Sequence, residues 1–402
     1  MESFFRQFLF PLSAGLAVFM AGMKTMEHAL YAWTGEWMKT MLARLTRTPL
    51  RGLLTGTVAA AALQSSSAVT VLTVGMVNAG VLTFPRSLGI ILGANIGTCL
   101  TTELIGLKME DGAFFPALCA CIAVHLAVRM PGSPLRKAPK LAAAGGGLSL
   151  AAAGFCGILL GIRIMQGIVP YLRDNGLFSW FLEHAGRSPL WGIAAGAALA
   201  AAIHSSSAAI AMAMGLSALG VLPVPLAIAI MLGCNVGTCV TALIAGFGGG
   251  RYGFLAAASH FILNAGGVLL FAPFIPWLHA LSAWLTPDPA GQIAHAQTLF
   301  NIISSLLALP LCYLPAIGRL GARGFAGGNP GSGVAVVPDA AGAGSPDGSG
   351  LPEAGAVPAA SGGMRRMARD RGMHPAVSVR TRVFRGTAAS GEKTADRPDR
   401  GA

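Results

Sequence analysis

Gln64-Ser65-Ser66-Ser67 sets three hydroxyls and a carboxamide in the middle of a long apolar run. About thirty residues on, Gly93-Ala94-Asn95-Ile96-Gly97-Thr98 adds an amide and another hydroxyl between glycines. The arrangement occurs twice, as His204-Ser205-Ser206-Ser207 followed by Gly233-Cys234-Asn235-Val236-Gly237-Thr238. With no gap, an offset of about 140 residues pairs Arg47 with Arg187, Pro85 with Pro225 and Gly106 with Gly246, about 26 identities over roughly 60 positions. The chain carries an internal duplication.

Hydroxyls and amides of this kind grip ions. A helix that begins near Ser67 points its unpaired N–H groups and the positive end of its dipole the same way as the serine hydroxyls. Ser65, Ser66, Ser67, Ser205, Ser206 and Ser207 then make a site for a tetrahedral oxyanion, built from dipoles without a fixed buried charge. Gln64, Asn95, Thr98, Asn235 and Thr238, with carbonyls unwound near Gly93 and Gly233, offer hard oxygen ligands suited to Na+. His204 occupies the place of Gln64 and so joins that sodium set. An anion held by dipoles in a low-dielectric cavity needs compensating cations, which couples ion to substrate.

Blander readings compete. Isolated serines and glycines in membrane helices usually serve close packing, but here the cluster is duplicated and each copy is followed by an Asn between glycines. A serine hydrolase built on His204 lacks a Gly-x-Ser-x-Gly elbow and an Asp in the apolar core to orient the imidazole, so the chain reads as a non-enzyme. Lys24, Glu27 and His28 read as boundary residues, with a Lys-Glu pair three apart. Glu103, opposite Leu243 in the second copy, reads as an interfacial acid. The seven cysteines lie in apolar segments without CxxC spacing and read as small packing residues.

The elements that must hold these groups follow from hydropathy. The chain is 54% hydrophobic and 11% charged, with apolar runs of about twenty residues, the length that spans hydrocarbon. The expectation is an all-α polytopic membrane protein of two inverted-topology repeats, each with a re-entrant helical hairpin and a broken transmembrane helix. The first repeat covers 1–145 and the second, with a final helix, 146–320. In the first, a helix from Gln7 to Leu30 precedes an amphipathic surface helix from Trp33 to Arg47. Leu50 to Leu82 is too long for one span; about fourteen residues on either side of the serines reach roughly 21 Å, enough to enter to mid-bilayer and return. A single long tilted helix is the alternative. Phe84 to Leu107 is the broken span and Phe114 to Met130 another, before the basic loop Pro131 to Lys140. The unit recurs as Gly146 to Val169, Leu190 to Leu222, Pro225 to Phe247 and Phe254 to Phe271, and Ile293 to Leu314 closes the membrane part.

Charge orients the spans. Hairpins that return to their own side give three crossings per repeat, an odd number that inverts the second copy. This arrangement places Lys39, Arg44, Arg47, Arg51, Arg86, Arg129, Arg136, Lys137, Lys140, Arg251, Arg319 and Arg323 inside, and leaves Arg6, Lys108, Arg173 and Arg187 outside, about three to one in favour of the cytoplasm. Residues 321–402 turn rich in Gly, Pro, Ala and Ser and read as a disordered basic cytoplasmic tail touching anionic lipid. The net charge of +12 therefore reflects loops and tail rather than nucleic-acid binding, as no basic helix carries interleaved aromatics.

At these residues the chain resembles the sodium-phosphate cotransporter family, type II, whose members carry paired Gln-Ser-Ser-Ser repeats in inverted hairpins. Gly93 to Thr98, Gly233 to Thr238 and His295-Ala-Gln-Thr-Leu-Phe-Asn301 match its further signatures, and the resemblance covers residues 7 to 315. It implies a plasma-membrane (cell inner membrane) symporter of inorganic phosphate with Na+ as coupling ion, Ser65 to Ser67 and Ser205 to Ser207 around phosphate, and Gln64, Asn95 and Asn235 near sodium. A carrier of another small anion and a phosphate exporter are the alternatives, and a homo-oligomer is compatible with all three. The departure is His204 where the family usually has Gln. An imidazole there predicts transport that varies between about pH 5 and 8. Uptake that stays equally pH-dependent in His204→Gln, once phosphate protonation is corrected for, contradicts this expectation.

Overall fold

The computed structural model describes Glu2 and residues 4–107, 114–130, 139–247 and 250–317, all within one compact unit, Met1–Gly333. The expected tail, 321–402, lies outside the described residues, as do Lys108, Arg136, Lys137, Arg319 and Arg323 of the charge argument. Among the described residues every regular element is helical.

The first copy contains α1 (Phe10–Leu45), α2 (Pro49–Leu63), α3 (Ser66–Asn78), α4 (Phe84–Gly106) and α5 (Phe114–Arg129). The second contains α6 (Pro139–Met165), two short helices α7 (Val169–Asp174) and α8 (Gly176–Arg187), then α9 (Pro189–Ile203), α10 (Ser206–Ala218), α11 (Val224–Gly237) and α12 (Cys239–Phe247). It continues through α13 (Arg251–Phe271) and α14 (Ile275–Leu285) to α15 (Pro289–Ala308). Among the described residues, six stretches are long and apolar enough to cross a membrane: Phe4–Ala32, Phe84–Gly106, Ala144–Asp174, Val224–Phe247, Arg251–Leu285 and Pro289–Tyr313. The span expected at Phe114 to Met130 is a helix of 16 residues, shorter than a full crossing.

Each serine cluster sits where two helices meet. Proline in the first turn starts α2 and α9, and the Thr48 and Ser188 side chains accept from the backbone N–H groups of Arg51 and Leu190 at 3.3 Å. Gln64 ends α2 in the left-handed region, φ 54° and ψ 26°, and His204 ends α9 at φ 57° and ψ 26°. Ser65 and Ser205 then cap the next helix, each Oγ accepting from the N–H three residues on, at 3.3 and 3.2 Å.

Glycine contacts give the helix directions. Gly89 lies against Pro49, Gly93 against Leu53 and Gly97 against Thr57, so α2 and α4 run parallel and α3 carries the chain back between them. A single long helix through the serines would instead leave α4 antiparallel to α2. In the second copy Gly233 lies against Ile193 and Gly237 against Ala197, the same parallel pairing of α9 with α11. The counterpart helices α1 and α6 meet differently: Gly15 faces Gly161 while Gly22 faces Gly154, an antiparallel crossing of two small-residue faces.

Two expectations are corrected. The break expected in the first copy is absent, for α4 runs unbroken from Phe84 to Gly106 past Gly93 and Gly97. Those glycines let backbones touch, since a Cβ on Gly93 would overlap the carbonyl oxygen of Leu53 and one on Gly97 that of Thr57. In the second copy α11 likewise runs intact through Gly233, and α11 and α12 abut at Thr238, which keeps helical angles, φ −62° and ψ −25°, and donates its N–H to the Cys234 carbonyl at 3.1 Å. Trp33 to Arg47 forms no separate surface helix either, because α1 continues to Leu45 and buries Met38 and Leu42 completely. Its counterpart in the second copy, α8, is the separate helix. The sequence reading also missed α14.

The packing role of these glycines is testable by thermal unfolding in detergent. Gly93→Ala drives a methyl into the α2 backbone and is expected to cost about 1–3 kcal/mol. Gly75→Ala, with nothing within 4 Å of its new Cβ, is expected to gain up to ~1 kcal/mol from helix propensity.

Candidate functional site

The two hairpin tips meet. A cavity of about 80 Å³ is lined by Gln64 and Ser65 to Ser67 from one tip and by His204 and Ser205 to Ser207 from the other. Thr98 of α4 and Met20, Met23, Lys24 and Glu27 of α1 complete its wall. The cavity has room for about two to three waters' worth of liquid. Residues far apart in sequence are thus joined as expected, and all six serines face one space.

Their hydroxyls divide into two kinds. Ser65 and Ser205 already accept from backbone N–H groups as helix caps. Among the described residues, the hydroxyls of Ser66, Ser67, Ser206 and Ser207 form no hydrogen bond with protein, although Ser66, Ser206 and Ser207 are buried. They lie in the first turns of α3 and α10, where backbone N–H groups lack helical partners.

A smaller space of about 10 Å³ adjoins, sharing Ser66, Thr98 and Ser206 with the first. It brings Asn95 next to Asn235 and Thr98 next to Thr238, as the sodium reading requires. Asn95 donates its Nδ2 to Asn264 Oδ1 at 3.1 Å and Asn235 donates its own to the Met231 carbonyl at 2.9 Å. Both amide groups thereby spend their N–H on protein and keep an oxygen. Thr98 and Thr238 each donate to the carbonyl four residues back at 2.7 Å, leaving oxygen lone pairs over.

His260, which the sequence reading passed over, and Gln297, which it quoted within the His295 to Asn301 signature without a role at the site, close this space. They are counterparts: Asn264 donates to the His260 carbonyl at 3.0 Å and Asn301 to the Gln297 carbonyl at 3.1 Å. Cys239 and Cys99 reach the same two carbonyls at 3.8 Å. Helix α15 therefore stands to α4 as α13 stands to α12. The pattern His260-x-x-x-Asn264 and Gln297-x-x-x-Asn301 was there to be read, but at a spacing unrelated to the main repeat.

Among the described residues three buried amide oxygens, Gln64 Oε1, Gln297 Oε1 and Asn301 Oδ1, have no hydrogen-bond partner, and the first two belong to residues that line these spaces. An orphaned carbonyl in such a place costs about 1–3 kcal/mol unless an ion or water satisfies it. With the neighbouring amide and hydroxyl oxygens, these are the neutral hard ligands that suit a small monovalent cation. The unwound carbonyls expected at Gly93 and Gly233 do not contribute, since α4 and α11 are intact there. His204 departs from its counterpart: Gln64 is 5% exposed and donates Nε2 to the Ala61 carbonyl at 2.6 Å, whereas His204 is exposed.

Fixed charge stands beside the serines, partly exposed rather than buried. Lys24 and Glu27 line the serine cavity as an ion pair, Nζ to Oε2 at 2.8 Å. Both also line an open vestibule of about 690 Å³ that reaches Ser65. Glu103 is held by His295 at 3.0 Å and by the Thr298 hydroxyl at 2.6 Å, a pairing of α4 with α15.

Residues 18–167 and 158–275 match the family model described as Na+/Pi-cotransporter. The chain is 34% identical over 306 residues to the uncharacterized protein YqeW of Bacillus subtilis, covering 76% of this chain and 95% of that one. It is 25% identical over 303 residues to YjbB of Escherichia coli, a protein whose name assigns it provisionally to inorganic phosphate export. That match covers 75% of this chain and 53% of YjbB, so the chain spans about half the length of this relative. Over 78 residues, 19% of this chain and 11% of the relative, it is 38% identical to the human sodium-dependent phosphate transport protein 2B. No solved structure matches the chain.

The orphaned oxygen of Gln297 makes a prediction about stability in the absence of ligand. Gln297→Leu removes the unpaired carbonyl and keeps the volume, so the ligand-free protein is expected to unfold at higher temperature, by about 1 kcal/mol of added stability. A lower midpoint in detergent would show that the oxygen is satisfied in the resting protein.

Proposed function

The chain belongs to the Na+/Pi-cotransporter family, and we propose that it carries inorganic phosphate across the cytoplasmic membrane together with sodium, by alternating access between two inverted repeats. One observation carries the reading: two serine tips from equivalent places in a duplicated chain share a cavity, and the amide and hydroxyl oxygens expected to hold sodium line the space next to it. Phosphate takes the N–H groups and hydroxyls of Ser65 to Ser67 and Ser205 to Ser207. Sodium takes oxygens of Gln64, Asn95, Thr98, Asn235 and Thr238, now joined by Gln297, with His204 at the rim.

Inversion is supported by the antiparallel meeting of the counterpart helices α1 and α6. Re-entrance is supported by helix length: α2, α3, α9 and α10 have 15, 13, 15 and 13 residues, roughly 20–22 Å each, about two-thirds to three-quarters of a hydrocarbon core and short of a full crossing. With one tip entering from each face, the starts of α3 and α10 meet near the midplane. The repeats are residues 1–145 and 146–320, and the basic tail 321–402 faces the cytoplasm.

Access in this conformation is one-sided. The vestibule shares Lys24, Glu27 and Ser65 with the serine cavity. On the counterpart side, a space of about 290 Å³ lined by Arg163 and Gln166 shares no residue with it. There Gln166 Nε2 donates to the Gly215 carbonyl of α10 at 3.1 Å, tying the second hairpin to α6. Rocking that releases this tie while closing the vestibule would exchange the open side. Net direction follows the gradients, so export of phosphate is the same cycle reversed; the name of the Escherichia coli relative points that way.

Phosphate labelled with ³²P, offered to proteoliposomes with an imposed Na+ gradient, is expected to enter faster than without one. Ser66→Ala with Ser206→Ala is expected to lower uptake at least about tenfold, because a hydrogen bond to a charged group contributes roughly 1.5–3 kcal/mol. Uptake indifferent to sodium removes the coupling, and uptake indifferent to the serines removes the site.

A further inference from the structure

We propose that Glu27 is the residue that separates phosphate from sulfate, by accepting a hydrogen bond that only a protonated oxyanion can give. The inference rests on the phosphate reading of the serine cavity and assigns the selectivity of that same site. Phosphate and sulfate have the same shape, and at neutral pH both reach two negative charges. Helix-start N–H groups and serine hydroxyls serve them equally, since a hydroxyl turns to donate or accept as required. A dipole site alone therefore has no means of telling them apart.

Glu27 supplies the missing distinction. It is the one carboxylate among the residues lining the cavity, and its side chain is 21% exposed against 70% for Lys24. In its ion pair with Lys24 the carboxylate is an acceptor only. Hydrogen phosphate, and hydrogen arsenate likewise, donates its O–H to that acceptor. Sulfate has no proton to give and meets an oxygen of like charge. Lys24 keeps the mouth of the cavity neutral overall, so an anion is still admitted from the vestibule.

The charged and titratable groups facing the cavity are Lys24 and Glu27 on α1 and His204 at the second tip, with His28 farther out in the vestibule. His204 is the rival acceptor. A ring nitrogen that takes up a proton becomes a donor and suits sulfate as well, so it discriminates less than a carboxylate held by an ammonium. Aligning Gly22 with Gly161 and Met26 with Met165 sets Gln166 opposite Glu27; its amide is turned onto Gly215, and Asp288, the carboxylate lining the space on that side, is not among the residues of the serine cavity.

The test is competition against ³²P-phosphate uptake by the full chain in proteoliposomes at neutral pH, with arsenate, sulfate and monofluorophosphate as competitors. Monofluorophosphate is a tetrahedral dianion that, like sulfate, carries no proton at this pH. In the wild type, arsenate is expected to compete, and sulfate and monofluorophosphate to fail by about 10- to 100-fold, the range of a hydrogen bond to a charged group. Glu27→Gln, which presents an amide N–H, is expected to shrink the phosphate-to-sulfate ratio at least about tenfold, while His204→Gln keeps it. Monofluorophosphate competing as well as arsenate overturns the assignment without any variant, which decides the matter even if Glu27→Gln does not fold. Phosphate uptake with unchanged selectivity in Glu27→Gln overturns the role of Glu27 alone. A wild type that takes up no phosphate overturns the transport reading and this inference with it.

Discussion

Polar atoms left without partners inside an apolar body are the constraint on which the whole structure turns. Gln64 combines a left-handed backbone, which costs a side-chain-bearing residue about 1–2 kcal/mol, with a buried amide oxygen to which nothing donates. Left alone, such a tip would relax by pulling its serines onto local carbonyls. It is held open because each hairpin is braced by a helix from its own copy, packed backbone to backbone through glycine. The strain and the unpaired oxygens coincide with the places where ions are expected, as they do when a binding site is kept ready rather than assembled on arrival.

The bracing shows how a short sequence signal can be right about place and wrong about cause. Asn95 and Asn235 do stand at the site, and the glycines around them do matter. Read by propensity, two glycines weaken a helix by about 1 kcal/mol each, and a break is the natural inference. Tertiary packing outweighs that in α4, where the same glycines remove the side chains that would hold α2 away. A glycine that permits unwinding and one that permits contact look alike in sequence. Only the partner helix distinguishes them.

Duplication made much of the fold and most of the site legible. Two copies of the serine cluster, each amid about thirty apolar residues, supplied the two tips, and the Asn and Thr after them supplied the adjoining oxygens. What escaped reading was long-range. Lys24 and Glu27 looked like boundary residues because an i, i+3 ion pair at a helix end is ordinary, and nothing local says that the pair lies against a serine tip forty residues away. The roles of His260 and Gln297 were missed for a related reason: α15 completes the first copy's side of the site although it lies after the second copy in the chain. A search at one repeat offset passes over a helix that answers to another.

The places where the copies differ then become informative, because a strictly two-fold carrier would treat its two faces alike. The serines, Asn95 with Asn235 and Thr98 with Thr238 are matched, and they serve whatever the site must do in either orientation. Gln64 against His204, Gln297 against His260 and Glu27 against Gln166 are not. In two pairs an amide answers to an imidazole, and in the third the carboxylate of Glu27 on α1 answers to the amide of Gln166. The two approaches to the cavity thereby differ in electrostatics while sharing one geometry. In the proposed cycle that allows binding on one side and release on the other to be tuned separately, with no change to the serines that hold the anion.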